Sequence, residues 1–299
     1  IEILANYLQC STREFGYAGL KDKNAMTVQC ISVHRKFEEA LKEFKHDNIK
    51  ILETTYHNNK IKVGHLKGNK FFIRLKRVGL VEKRKIEEAL GQIVTLGIPN
   101  YFGFQRFGID GDNYKKGKEI IEGKLKERNR NLKQMYINAY QSYLFNSWLS
   151  KRIEISKLVD AFEPKEIYER LNLPLDIVKR MKKQKHPFKL MTGDLLSHYP
   201  YGKIFTIEDL ETESQKFFER DRVPTGLLSG KRVKNSEGLA YEIEKEFEEK
   251  TGEDGARRFA WIFPEEVESN YKEEKNWMEL QFYLPKGSYA TEVIAEIIH

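Results

Sequence analysis

The amino-acid sequence predicts an α+β fold with a mixed, mainly antiparallel sheet flanked by helices. Segments in which apolar and polar residues alternate occur near both ends of the chain, and segments with apolar residues three and four positions apart fill the middle. At 299 residues the chain is long enough for two domains. We therefore expect one domain formed by residues 1–150 and 256–299, interrupted by a mostly helical α/β insertion domain at residues 151–255.

The N-terminal part of the chain predicts short elements of both kinds. Apolar spacing indicates helices around residues 3–8 and 37–44, and β-branched residues indicate a strand over 27–33. Residues 49–56 and 60–65 predict a hairpin, because the three residues between them favour a turn.

The remaining elements follow from periodicity and from turn residues. Alternation predicts strands at 71–75, 258–263 and 278–284. Helical spacing predicts helices at 86–94, with its end marked by Gly97, and at 132–148. Pro164 and Pro174 each stand where a helix can begin, and Ser236 and Ser288 are suited to cap helices. Residues 223–230 read as a loop by composition, and their glycines lack the spacing of a nucleotide-binding P-loop.

The charge and residue content of the chain indicate which partners, metal sites and cellular compartment to expect. The formal net charge is +7, which fits a nucleic-acid partner but does not require one. The cysteines, Cys10 and Cys30, and the scattered histidines have no metal-binding spacing, so we expect no metal site and a reducing compartment. Since the sequence has neither a membrane-spanning apolar run nor a leader, we expect a cytoplasmic protein. Nothing such as a long heptad run requires an assembly, so we expect a monomer.

One short segment presents a carboxylate between two lysines. Gly19 allows a tight turn before Lys21-Asp22-Lys23, and the flanking cations favour an ionised Asp22 and attract a polyanion. An ionised aspartate in such a setting is a possible nucleophile or general base. Taken alone, however, a turn of this kind is far more often a solvated loop tip.

A second segment combines aromatic and polar residues in an order that fits neither a regular helix nor a regular strand. Residues 100–108 read Asn-Tyr-Phe-Gly-Phe-Gln-Arg-Phe-Gly. Rings stack on the face of a base while amides and arginine bind its edge, so the segment suits a nucleotide. An aromatic corner of the core with Arg106 in a structural ion pair is an equally good interpretation of these residues alone.

A basic run at residues 179–185 ends one of the predicted helices. Such a run is usually a solvated face. If the partner is an RNA, the run is the best candidate for a phosphate contact outside the active site.

Four segments together resemble the TruD family of tRNA pseudouridine synthases. Residues 18–29 match the motif A-G-x-K-D-x-x-A-x-T-x-Q, and residues 100–108 match N-Y-F-G-x-Q-R-F-G, at every fixed position. Residues 142–146 resemble S-x-L-F-N, and residues 284–291 resemble L-P-x-G-S-[FY]-A-T. The motifs occur in family order and extend from the beginning of the chain to its end.

The resemblance implies a pseudouridine-synthase-type catalytic domain that converts uridine in tRNA, usually uridine 13, to its carbon-linked isomer without a metal or an organic cofactor. Asp22 matches the catalytic aspartate, which attacks either the sugar or the base of a flipped-out nucleotide. Phe102 matches the ring that stacks on the uracil, and Asn100 matches a polar contact to the nucleotide. Tyr289 stands where the family often has Phe. Arg106, Gln105 and Lys21 are expected as further contacts to the substrate.

One departure and one alternative accompany this interpretation. Family members carry an upstream segment with a Lys and a Glu-Asp-Phe motif, which has no counterpart before Ile1, so we expect impaired activity if nothing supplies that segment. The alternative is a noncatalytic tRNA-binding protein or RNA chaperone of the same fold. A generic basic metabolic enzyme is disfavoured, because the sequence shows no cofactor or metal motif.

Overall fold

A computed structural model describes residues 1–19, 21 and 25–298. Contacts between residues divide the chain into two units, Ile1–Asn69 and Lys70–His299, and each is described by itself. The predicted insertion at residues 151–255 is a different division and stays a prediction. In the described part of the chain, no helix has the length and hydropathy needed to cross a membrane.

The first unit consists of short elements around a small apolar cluster. Its helices are α1 (Glu2–Tyr7) and α2 (Glu38–Lys42), and its strands β1 (Gly16–Tyr17) and β2 (Ile31–Ser32) pair antiparallel. Leu4, Leu8 and Phe15 form the buried centre of this unit. Gly16 has no room for a side chain, because a Cβ there would lie 2.3 Å from the Ile61 carbonyl oxygen. The absence of a side chain at residue 16 thus lets the segment around Ile61 pack against β1.

The hairpin predicted at residues 49–65 is wrong, because this fully described stretch forms no strand. The turn residues between the two segments were misleading, since neither segment pairs as a strand and Leu52 and Tyr56 are 66% and 67% exposed. A hairpin without an apolar surface to cover is only marginally stable. Side-chain bonds hold the stretch instead, including one from the Ile61 amide to the Ser32 hydroxyl (2.9 Å).

The second unit contains a sheet with the strand order β10–β11–β3, in which β3 is Gly68–Lys76, β10 is Glu265–Lys272 and β11 is Trp277–Pro285. Burial alternates along β3 and β11, as the sequence predicts for strands with one core face. Helices α3 (Leu80–Leu96) and α10 (Ala290–Ile298) contribute to the same apolar cluster. Gly97 ends α3 with a positive φ of 72°, which confirms its predicted role.

A long helix and a second sheet form the rest of this unit. The helices are α4 (Asn113–Ile121), α5 (Arg130–Ala161), α6 (Pro164–Leu171), α7 (Leu175–Lys182), α8 (Leu210–Phe218) and α9 (Gly238–Glu244). The sheet has the order β6–β5–β7–β8, formed by Ile204–Thr206, Leu195–His198, Arg222–Leu228 and Ala256–Phe259. A short antiparallel pair, β4 (Ile98–Pro99) with β9 (Trp261–Ile262), lies beside the candidate site. The pairs β10–β11, β4–β9, β5–β6, β5–β7 and β7–β8 are antiparallel, in agreement with the prediction of a mainly antiparallel sheet.

The loop predicted at residues 223–230 is wrong, because β7 occupies most of that segment and is largely buried. Its glycine and proline have packing roles. A Cβ at Gly226 would lie 2.2 Å from the Trp148 ring, so the glycine lets β7 pack against α5. Pro224 lacks an amide hydrogen, but its carbonyl still accepts a bond from the Ala260 amide (2.8 Å).

The cap predicted at Ser236 is also wrong. Glu237 occupies the N-cap position of α9 and makes no side-chain cap bond. The Ser236 hydroxyl instead bonds the Glu244 carboxylate (3.0 Å), which also forms a buried ion pair with Arg257 (2.8 Å). Here the hydroxyl donates to a charged carboxylate, and such a bond is stronger than one between neutral groups.

Candidate active site

Asn100 is fixed by the strands that flank it. The chain leaves β4 at Pro99, and the Asn100 amide then bonds the Ala260 carbonyl (2.9 Å). The side-chain Nδ2 donates to the Phe259 carbonyl (2.9 Å), and the residue is 4% exposed. The predicted nucleotide contact is therefore a buried side chain held by backbone groups.

Helix α5 holds the backbone of Phe102. The Phe102 amide donates to Asn146 Oδ1 (2.9 Å), and Asn146 Nδ2 donates to the Phe102 carbonyl (3.0 Å). In an irregular segment the backbone groups have no neighbouring strand to bond, so the two bonds with Asn146 satisfy the Phe102 amide and carbonyl instead. Asn146 belongs to the segment that resembles S-x-L-F-N, so that segment positions the ring directly.

Arg258, which sequence reasoning missed, connects two of the motifs. Its Nη2 donates to Asn100 Oδ1 (2.9 Å) and to the Asn100 carbonyl (3.0 Å), while its Nη1 donates to the Gly287 carbonyl (2.7 Å). The guanidinium carbon lies 3.8 Å from the Phe102 ring centroid, in cation–π contact. Burial lowers the pKa of Arg258 to about 10, which leaves the side chain charged at neutral pH.

Tyr289 approaches the same ring from the closing motif. The rings of Phe102 and Tyr289 have centroids 6.1 Å apart and are tilted by 59°. Gly103 permits this approach, because a Cβ there would lie 2.8 Å from Thr291 Oγ1 and 3.3 Å from Tyr289 Cδ1. The structure thus brings Asn100, Phe102 and Tyr289 together.

The remaining residues of the aromatic segment divide into partly buried and exposed positions. Arg106 Nε donates to the Ser142 hydroxyl (3.0 Å), and its guanidinium carbon lies 5.4 Å from the Phe102 centroid. Gln105 is exposed, and Phe104 is 66% exposed. Arg106 therefore belongs to the same cluster as Phe102, whereas Gln105 faces solvent beside it.

A carboxyl group borders the cluster. Burial raises the pKa of Glu292, and the charge of Arg258 opposes that effect. A Cβ at Gly103 would lie 3.2 Å from Glu292 Oε1, so the carboxyl adjoins the backbone of the aromatic segment. The cluster consequently combines aromatic faces, an amide, two guanidinium groups and one carboxyl.

The predicted nucleophile, Asp22, lies outside the described residues. Lys21 belongs to the first unit, where it is exposed and its Nζ donates to Asn69 Oδ1 (2.7 Å). Within the described residues, no group of three or more His, Cys, Asp or Glu side chains is arranged to hold a metal ion.

Known proteins resemble this chain along its length. The family described as tRNA pseudouridine synthase D (TruD) matches residues 1–130 and 125–297. A tRNA pseudouridine synthase D from Nitratiruptor is 55% identical over 300 residues, which are 100% of this chain and 83% of that protein. One from Sulfurimonas denitrificans is 52% identical over 297 residues, covering 99% of this chain and 83% of that protein.

The fold is similar as well. A TruD crystal structure from Methanosarcina mazei has a TM-score of 0.62 at 22% identity, and the likeness covers 99% of this chain and 83% of that one. The predicted fold class is confirmed by this likeness, and the predicted enzyme class is confirmed by the family match. The chain belongs to the TruD family of tRNA pseudouridine synthases.

Proposed function

We propose that this protein isomerises uridine to pseudouridine in tRNA, at uridine 13, and that it does so in the cytoplasm as a monomer. The observation that carries the proposal is the meeting of two family motifs at Arg258, which places Asn100, Phe102 and Tyr289 in one cluster. Such a cluster offers a stacking face and hydrogen-bonding groups, which recognition of an extruded base requires.

The proposed reaction starts with Asp22 as the nucleophile, attacking either C1′ of the sugar or the uracil ring. The bond between N1 and C1′ breaks, the base turns, and C5 bonds to C1′. The covalent bond to Asp22 also breaks, which returns the free carboxylate. The proton on C5 is lost, and N1 gains one. The reaction is an isomerisation, so its balance requires no oxidant, reductant or second substrate.

The other residues hold the detached base while it turns. Phe102 is 9% exposed, and Arg258 lies against its ring. A base can therefore stack on this ring once the side chain of Tyr289 or Arg106 moves away from it. Asn100 contacts the nucleotide, Gln105 and Arg106 bind its polar groups, and Lys21 attracts the phosphate backbone.

The test is to incubate the full-length protein with unmodified tRNA and to map the pseudouridine by mass spectrometry. The proposal expects product at position 13, and none in a tRNA whose uridine 13 is replaced by cytidine. Product only at another position would reject the assignment of the target. Tight binding without product would favour the noncatalytic tRNA-binding alternative.

A further inference from the structure

A cleft lies between the end of β3 and the turn that joins β10 to β11. Its volume is about 490 Å³, and it is lined by Lys76, Arg77, Gly79, Lys275, Asn276 and Trp277. The lining residues include three cations and no carboxylate; Glu273 and Glu274, although close in sequence, are not among them. The cleft therefore favours an anionic ligand.

The walls of this cleft are fixed to each other. Arg77 and Asn276 have left-handed backbones, with φ of 60° and 51°. The Val78 amide donates to the Asn276 carbonyl (2.9 Å), and the Tyr271 hydroxyl donates to the Val78 carbonyl (2.8 Å). These bonds hold the two turns at a set distance, so the cleft is formed before any ligand arrives.

Trp277 provides an aromatic surface inside the cleft. The ring is partly exposed, and the Arg74 guanidinium carbon lies 4.6 Å from its centroid, where the Glu279 carboxylate holds Arg74 by a 2.8 Å ion pair. The exposed Lys275 and Lys76 ammonium groups lie 5.0 and 5.9 Å from the same centroid. Flexible lysines can move from the ring to a phosphate, whereas Arg74 stays in place.

We propose that this cleft binds a single-stranded stretch of RNA, with a base stacked on Trp277 and the adjacent phosphates bound by Lys76, Arg77 and Lys275. Stacking on an aromatic ring beside a basic groove is the usual means of holding unpaired nucleotides. An anionic ligand without a base, such as an acidic peptide, would contact the cations of the cleft but would not stack on the Trp277 ring.

The cleft is a contact separate from the candidate active site. Strand β11 begins at Trp277 and ends at Pro285, just before Gly287. At about 3.3 Å per residue, the two sites lie roughly 27 Å apart along the strand. The inference rests on the proposed function for the identity of the RNA, since a tRNA bound at both sites would be held in register for the reaction.

The experiment measures binding of unmodified tRNA and of a short oligouridylate to the full-length protein. The double variant Lys76→Ala/Lys275→Ala is expected to lose affinity for tRNA about tenfold, and its logarithmic salt slope should fall by about 1.5. Trp277→Leu should also weaken binding about tenfold, while Trp277→Phe keeps most of the affinity. The matched control Lys165→Ala/Lys250→Ala removes the same charge from exposed positions outside the cleft and should change affinity far less.

Tryptophan fluorescence separates stacking from simple charge attraction, because Trp148 and Trp261 are buried. Oligouridylate should quench the Trp277 emission, and inorganic polyphosphate of equal charge should not. Equal quenching by both, or cleft variants that bind tRNA like the control, would overturn the proposal. A wild-type protein that binds tRNA through the cleft but makes no pseudouridine would reject the proposed function and leave this inference standing.

Discussion

Replacing Arg258 by lysine should loosen the candidate active site while preserving the charge. The guanidinium makes three bonds of 3.0 Å or less, to two oxygens of Asn100 and to the Gly287 carbonyl, and it lies against Phe102. A single ammonium group cannot reach both motifs and cover the ring at the same time. Loss of two net hydrogen bonds and of the cation–π contact should lower the free energy of unfolding by about 3 kcal/mol.

The effect on activity should exceed the effect on folding. Arg258 links the backbone and side chain of Asn100 to the segment that precedes Tyr289, so its loss moves both side chains relative to each other. Misplacement by about 1 Å at an active site can cost roughly 100-fold in rate. We therefore expect kcat/KM for pseudouridine formation to fall by about 10- to 100-fold in Arg258→Lys.

The assays are urea unfolding and initial rates with unmodified tRNA, under conditions where the variant stays folded. Arg232→Lys is the matched control, because Arg232 forms an exposed ion pair with Asp254 and should change neither measurement appreciably. Wild-type stability together with wild-type kcat/KM in Arg258→Lys would refute the role assigned to Arg258.

Three further changes test other parts of the structure. Asn146→Leu should lower both unfolding free energy, by about 2 kcal/mol, and kcat/KM, because it removes both side-chain bonds to the Phe102 backbone; urea unfolding and initial rates check this. Burial lowers the pKa of His186 to about 4, below its ordinary value of 6.5, so the neutral form stabilises the fold above pH 6.5 and this stability is lost as pH falls towards 4. Between pH 7 and pH 5 the free energy of unfolding should fall more steeply in the wild type than in His186→Gln, by up to about 1.4 kcal/mol per pH unit. Equal slopes for the two proteins would contradict the burial argument. Gly226→Ala should destabilise by about 2–3 kcal/mol in thermal or urea unfolding, because the new methyl meets the Trp148 ring, and a wild-type midpoint would show that β7 and α5 can separate at no cost.

The spacing of apolar residues along the sequence was sufficient to predict the helices and strands that bury one face. Alternation predicted the strand that became β3, and helical spacing with Gly97 predicted α3 and its end. The residues of the candidate site came from resemblance, and the structure places Asn100, Phe102, Arg106 and Tyr289 in one cluster. Their roles as substrate contacts remain predictions.

Other features depend on contacts that no local pattern contains. Arg258 and Asn100 are 158 positions apart in the sequence. The role of Arg258 therefore depends on the packing of β8 beside the segment that follows β4. Residues 223–230 have the composition of a loop, yet α5 and β5 bury them as a strand. At residues 49–65 the reverse applies, because the turn residues are not accompanied by strand pairing on either side, and Leu52 and Tyr56 stay exposed. An arginine next to Phe259 in a predicted strand was the available sequence signal for Arg258.

The proposed reaction depends on the Asp22 carboxylate acting as the nucleophile on a bound tRNA. The decisive measurement is single-turnover pseudouridine formation by Asp22→Asn, made together with the tRNA dissociation constant of the same variant. We expect no detectable product from a variant whose dissociation constant stays within about threefold of wild type, since an amide has nearly the same shape as a carboxylate but is not a nucleophile. Product formation at the wild-type rate by Asp22→Asn would contradict the proposed reaction.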